Sequence, residues 1–395
     1  MTTNIKQKID SIAECIYNKI QNNQIGNDIG LYSGDFGILL FLFYYSRYSK
    51  KDKYISLTEK FAEELFNTFP QKIRLHTFCS GLSGIMYLIE FLRENGFIDM
   101  DISEVQSTFD EYLILRMRQD MQKHNHDFMH GALGVGLYFL KKGSNKKSIL
   151  ELIDFLYNTA EFDVQKKVCK WKSVISAEKN IIGYNISLSH GISSIIIFLS
   201  HVIRSGIIEK KVMEMLNGSV NYVLSQQIDI ERFGSCFPSL SLDEKSYPIT
   251  GSRLAWCYGD LGIAMALWQA GNTIKESKWI KKGLDVLQKS TQRLDISKNK
   301  VCDAGICHGS AGIALIYHHM YIETQLSEFK DATSYWLNKT LKFSQHEDGL
   351  AGYKTYFSDE WISDYSLLTG ISGIGLALLS CIEEGSQCWD EMILL

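Results

Sequence analysis

The sequence predicts an all-α protein, an α/α toroid built as a double ring of seven inner and seven outer helices, and two observations carry that expectation. A Gly-x-x-Gly pattern followed by an apolar run recurs along the chain, and the segments between its copies carry one-sided apolar stripes at helical spacing. The pattern stands at Gly34–Gly37, Gly81–Gly84, Gly131–Gly134, Gly259–Gly262, Gly309–Gly312 and Gly370–Gly373. A seventh copy, Gly191-Ile-Ser-Ser194, has serine in the second glycine's place but keeps the apolar run Ile195 to Leu199. Successive first glycines lie 47 to 68 residues apart.

The runs after the glycines, such as Ile85 to Leu92 and Ile374 to Cys381, are apolar nearly all round, as helices buried on both sides are. These are the expected inner helices. Between them, stripes such as Ile5, Ile9, Ile12, Ile16 and Ile20, or Phe61, Leu65 and Phe69, lie on otherwise charged patterns. The expected outer helices fall near residues 4–21, 53–69, 103–122, 148–161, 208–226, 276–293 and 329–344. Seven such pairs can close into a ring, with glycines letting the inner helix starts approach neighbouring loops. An open superhelix has the same periodicity, and only the lack of polar capping repeats favours closure.

At 395 residues with 3 prolines and no Gly/Ser- or Pro-rich linker, the chain is expected to form one domain, 1–395. A 45% hydrophobic and 12% aromatic composition supplies a large core and excludes low-complexity disorder. The formal charge of −4, with no dense basic run, argues against a nucleic-acid partner and leaves a peptide or small molecule. The start lacks the apolar segment of a secretory signal, and the longest apolar run, Phe36 to Tyr45, is too short to span a bilayer. A cytoplasmic protein, not a transmembrane one, is expected. Nine cysteines spread thinly over the chain argue against a disulfide framework, so an unusual cysteine is a candidate ligand or nucleophile.

Aligned on the first glycine, Cys257 and Cys307 each stand two residues before it, at equivalent places in adjacent repeats. His308, Tyr258, His190 and His130 each stand one residue before it. In a ring, all would meet at one end of the central cavity. Two cysteines and a histidine form a set that Zn²⁺ accepts tetrahedrally, and three protein ligands leave the fourth position open, as in catalytic sites. A thiol bound there is both deprotonated and nucleophilic at neutral pH, which favours thiol activation over hydrolysis. Spacing alone also fits a second reading, in which Cys257 and Cys307 are buried small residues and His308 caps a helix. Cys79 shares the cysteine position without a following histidine and is read as structural.

The strings Ser252-Arg-Leu-Ala-Trp-Cys-Tyr-Gly-Asp-Leu-Gly262 and Cys307-His-Gly-Ser-Ala-Gly312 resemble the signature segments of the lanthionine synthetase C-like family, and the seven glycine-led helices resemble its double ring. The resemblance runs from about Leu31 to Ser380 and favours the zinc reading over the structural one. It implies cyclisation of ribosomal peptides, in which a substrate cysteine adds to dehydroalanine or dehydrobutyrine to form a (methyl)lanthionine thioether ring, as in lantibiotic biosynthesis. It implies one Zn²⁺ on Cys257, Cys307 and His308, and active-site roles for Arg253, Tyr258, His190 and Asp127. The implied partners are a dehydrated precursor peptide, a separate dehydratase and a peptide exporter, and the implied place is the cytoplasm, peripheral to a membrane-associated biosynthetic complex.

Conjugate addition leaves charge on an enolate that needs a cation and then a proton, which suits Arg253 as stabiliser and His190 as general acid or base. Asp127 would orient His190 or a zinc-shell water, and Tyr258 is either a donor or a wall residue. His130 is read as a wall histidine. His124, His126, His201, His318, His319 and His346 are read as surface or core residues. Two departures from the family pattern are Ser194 and Leu254, the latter where an acidic residue is expected. Addition of glutathione or another free thiol to damaged proteins uses the same chemistry and stands as the alternative enzyme. A non-catalytic zinc or peptide scaffold stands as the alternative outside enzymes.

Overall fold

In the computed structural model, residues 2–22, 28–100, 102–176, 181–245, 247–383 and 388–395 are described. All fourteen expected helices are present, and the seven outer ones lie within about three residues of their expected limits. The chain divides into two compact units, one of residues 1–100, 301–393 and 395, the other of residues 101–300 and 394.

In the first unit the glycine-led helices are α2 (Asp35–Ser49), α4 (Leu82–Glu94), α13 (Ser310–Thr324) and α15 (Ile371–Ser380). Every side chain of α4 from Leu82 to Leu92 is buried, Glu90 included, as befits a helix covered on all sides. The outer helices of this unit are α1 (Thr2–Gln21), α3 (Asp52–Lys72) and α14 (Ser327–Lys342). The buried residues of α1 are Ile5, Ile9, Ile12, Ala13, Ile16 and Ile20, one stripe at helical spacing. Helix α15 packs on α2 and α13, α2 packs on α4, and α3 and α14 cover α2 and α13. A closing 3₁₀ turn, Trp389–Ile393, docks on α4; Trp389 Nε1 donates to Ser380 Oγ at 2.8 Å, and the Tyr32 hydroxyl donates to the Met392 carbonyl.

The second unit repeats the plan. Inner helices α6 (Ala132–Lys142), α8 (Ile192–Arg204) and α11 (Asp260–Ile274) pack in that order. Outer helices α5 (Ser103–Gln122), α7 (Lys146–Thr159), α9 (Lys210–Ser225) and α12 (Ser277–Ser290) cover them. Not expected from sequence are a one-turn helix, α10 (Ile230–Phe233), and three two-stranded antiparallel hairpins in the connections. These are β1 (Glu161–Asp163) with β2 (Val168–Lys170), β3 (Ser173–Ser176) with β4 (Ile181–Gly183), and, in the first unit, β5 (Thr355–Phe357) with β6 (Glu360–Ile362).

The glycine pattern has a steric cause. The loop before each inner helix folds back over the helix start, so a Cβ at Gly84, Gly312 or Gly373 would lie under 3.0 Å from the carbonyl oxygen six residues earlier. Serine is accommodated at position 194, where its buried hydroxyl donates to the Gly191 carbonyl at 2.7 Å. The loop itself is a repeated device. Asp28, Asn125, Asn185, Asp303 and Asp364 each stand six residues before the first glycine, and each side chain accepts a hydrogen bond from the backbone N–H two residues on. The same residues' carbonyls accept from the first helical N–H of α2, α6, α8, α13 and α15.

Two histidines read from the sequence as surface or core residues, His126, which is buried, and His201, which is half-buried, have no ion-pair partners among the described residues. Burial pushes the His126 imidazole down to about 4 and His201 down to about 3. Both stay neutral in the fold while the unfolded chain takes up protons below a pKa of about 6.5. Their contribution is therefore present above about pH 6.5 and lost as the pH falls toward their folded pKa values. We expect stability to drop between pH 6.5 and 4.5 by about 2–3 kcal/mol per histidine. Urea titrations should show a shallower drop in His126→Gln, and an unchanged slope would contradict this origin.

Candidate functional site

The position two residues before the first glycine is tied to its counterpart in neighbouring repeats by backbone hydrogen bonds. In the first unit, Cys307 N–H donates to the Leu368 carbonyl at 2.9 Å, Leu368 N–H to Tyr32 at 3.0 Å, and Tyr32 N–H to Cys79 at 2.8 Å. In the second unit, the N–H groups of Leu188 and Ser189 both reach the Cys257 carbonyl, at 3.0 and 3.3 Å. Residues that are equivalent in sequence are therefore neighbours in space, for a reason built into the main chain.

Cys257 is buried, 5% exposed, and Cys307 is half-buried. His308 is followed by Gly309, which starts α13, and its Nε2 lies 3.6 Å from Asp303 Oδ2. Asp303 is 2% exposed and its two oxygens also accept from the N–H groups of Gly305 and Tyr356, at 3.0 and 3.1 Å. The carboxylate stands at ion-pair distance from the imidazole, beyond hydrogen-bond length, on the side where a metal-binding histidine takes its second partner. Sequence reasoning missed Asp303, although its place six residues before the glycine could have revealed it.

The second unit brings four of the expected residues into one group. His190 Nδ1 and Asp127 Oδ2 are 2.7 Å apart, and Asp127 Oδ1 accepts from the His130 N–H at 2.7 Å. The His130 ring stacks on His190 at 5.7 Å between centroids, and the Tyr258 ring stands 6.4 Å from His190. Asn185 Nδ2 donates to the Tyr258 hydroxyl at 3.3 Å. Burial alone would lower His190, but the Asp127 hydrogen bond and charge, with Cys257 nearby, hold it above the ordinary imidazole value. Burial alone would raise Asp127, but His190 and His130 hold it below the usual carboxylate range. Burial raises Tyr258, so its hydroxyl stays protonated at neutral pH.

Arg253 occupies the loop station where five of the seven repeats carry Asp or Asn. Its guanidinium makes no hydrogen bond or ion pair among the described residues, and it lines a cavity of about 250 Å³ with Ser239, Ser252, Tyr258 and Lys300. The loop is held by other means. Arg293 donates to Asp260 Oδ2 at 2.8 Å, to the Ser252 carbonyl at 2.6 Å and to Asn299 Oδ1 at 3.0 Å. Burial raises the Asp260 carboxyl, while Arg293 and the N–H groups of Cys236 and Phe237 pull it back down. Leu254 is fully buried, with its N–H on the Asn299 carbonyl at 3.2 Å, which accounts for an apolar residue there. Gly259 differs from the other first glycines in having φ of +96°, a left-handed conformation that favours glycine.

A sequence profile of the family described as lanthionine synthetase C-like protein matches residues 26–394. The chain belongs to the lanthionine synthetase C-like family. A solved structure titled nisin cyclase matches this family member with a TM-score of 0.74, over 99% of this chain and 97% of that one, at 19% sequence identity. At that identity the likeness shows the fold, and the expected all-α toroid class is the one it shows. Among its described residues no helix is long and apolar enough to cross a membrane.

Proposed function

We propose that this protein is a zinc-dependent lanthipeptide cyclase, which adds peptide cysteine thiols to dehydroalanine or dehydrobutyrine to form thioether rings. The observation that carries the reading is the donor set in the sequence: Cys257 and Cys307 stand at one station of adjacent repeats, and His308 follows Cys307. Two thiolates and one imidazole fit zinc and leave a fourth position, and Asp303 lies at ion-pair distance from the imidazole. The family match along residues 26–394 supports both the chemistry and a single domain.

When bound, zinc would lower the pKa of a substrate thiol and keep it nucleophilic at neutral pH. Asp127, bonded at His190 Nδ1, leaves Nε2 as the nitrogen that takes and returns a proton. The thiol proton goes to His190, the new S–C bond forms at the β-carbon, and the alkene electrons move onto the acceptor's carbonyl oxygen. Arg253, whose guanidinium has no partner among the described residues, neutralises that enolate. The Tyr258 hydroxyl accepts from Asn185 and keeps its own proton to donate. His190 then returns the proton to the α-carbon, and the ring closes with no change of mass.

The test is a model peptide with one cysteine and one dehydrobutyrine, followed by loss of free thiol at constant mass. Acceleration that a zinc chelator abolishes is expected, and no acceleration by the zinc-loaded protein would contradict the reading. Asp127→Asn should lower the His190 pKa, moving the acidic limb of the kcat–pH profile to lower pH, and reduce kcat by about 10–100-fold. A rate loss with an unmoved limb would show that Asp127 acts by packing alone.

A further inference from the structure

The cavity beside Arg253 holds more positive charge than the reaction requires. Conjugate addition generates one transient negative charge, for which Arg253 suffices. Lys300 lines the same cavity, is solvent-exposed and has no side-chain partner among the described residues. Between them, Ser252 is 4% exposed, yet its hydroxyl has no hydrogen-bond partner among the described residues. A buried hydroxyl left unpaired costs about 1–3 kcal/mol unless a ligand satisfies it. Ser239, another polar residue of the wall, has its hydroxyl on the Gly251 carbonyl at 2.8 Å.

The main chain around these groups is fixed at the cost of a buried ion pair. Arg293 holds the Ser252 carbonyl and the Asn299 side chain at once, the immediate neighbours of Arg253 and Lys300. Asn299 answers through its Nδ2, which donates to the Arg293 carbonyl at 2.7 Å, and through its carbonyl, which accepts from Leu254. The Ser252 N–H is bonded to Ser235 Oγ at 2.9 Å. Two cations and an unpaired hydroxyl, on segments clamped by one arginine, form a preorganised receptor for a resident anion, not only a fleeting one.

We propose that this cavity is a carboxylate-binding subsite, in which Lys300 and Ser252 select peptide substrates that carry a carboxylate near the reacting dehydro residue. The inference rests on the cyclase reading for the identity of the peptide, and on the cavity alone for the carboxylate. The carboxylate comes from an acidic side chain or from the peptide's C-terminus, and Lys300 is a specificity-determining residue in either case.

The experiment uses the zinc-loaded protein and dehydrated peptides that differ only in Asp or Asn next to the dehydro residue, and in a free or amidated C-terminus. We expect kcat/KM about tenfold higher for one carboxylate-bearing series, which identifies the source, and the advantage should shrink toward unity in Lys300→Met and in Ser252→Ala. No preference among the four peptides, or a preference that Lys300→Met leaves intact, would overturn the subsite. The same peptides with alanine at the cysteine and dehydro positions, read by fluorescence anisotropy, report binding without turnover. A salt-sensitive preference in binding, lost in Lys300→Met, upholds the subsite even if ring closure fails, in which case only the cyclase reading falls.

Discussion

Cys257→Ala should fold, lose its zinc and close rings about 10³-fold more slowly than the wild type. The thiol is buried, but its removal takes one small group from a loop anchored by main-chain bonds from Leu188 and Ser189, so the structural cost is about 1–2 kcal/mol. The chemical cost is larger. A free thiol of pKa about 8.5 is only a few per cent thiolate at neutral pH, and a metal's electrostatic stabilisation is worth several kcal/mol. Cys79→Ala provides the contrast. Cys79 stands at the same place in its repeat, with its carbonyl bonded to Tyr32 N–H, but Ser80 follows it where His308 follows Cys307. That variant should keep both metal and rate. If Cys257→Ala retained zinc, or if both variants behaved alike, the position would be one of packing and not ligation.

The second large effect is expected at Arg293. Its side chain is 8% exposed and that of Asp260 is fully buried. Removing one member of such a pair leaves an uncompensated buried charge and typically costs about 3–5 kcal/mol. Arg293→Met should therefore lose about that much stability in urea titrations, and kcat/KM should fall as well, because the Ser252 carbonyl and Asn299 lose their common anchor. Adding Asp260→Asn should restore a substantial part of the stability by removing the stranded charge. It should not restore kcat/KM, since the loop remains unclamped. Full recovery of both would show that the pair serves stability alone.

The helices were legible because glycine and apolar periodicity reported physical requirements. The second glycine of each copy marks where a loop carbonyl crosses a helix start, and the stripe Ile5 to Ile20 marks a single buried face. Cys257 and Cys307 stood out as metal candidates because they share one station of the repeat, and within each unit main-chain bonds tie that station to its counterparts. The three hairpins were not, because strands of three or four residues are too short to develop an alternating pattern. Arg293 lies just past α12 in no motif, and only tertiary packing gives it Asp260, Ser252 and Asn299 as partners. Asp303 could have been found. The recurrence of Asp or Asn six residues before the glycine is visible in the sequence, with Leu75 and Arg253 as its two exceptions.

Zinc content tests the central claim most directly. Elemental analysis of the purified wild type, Cys307→Ala and His308→Ala should give one zinc per chain in the first and little in the others, with ring closure of the model peptide lost in step. A wild type without zinc, or variants that keep it, would contradict the assignment of Cys257, Cys307 and His308 as the ligands.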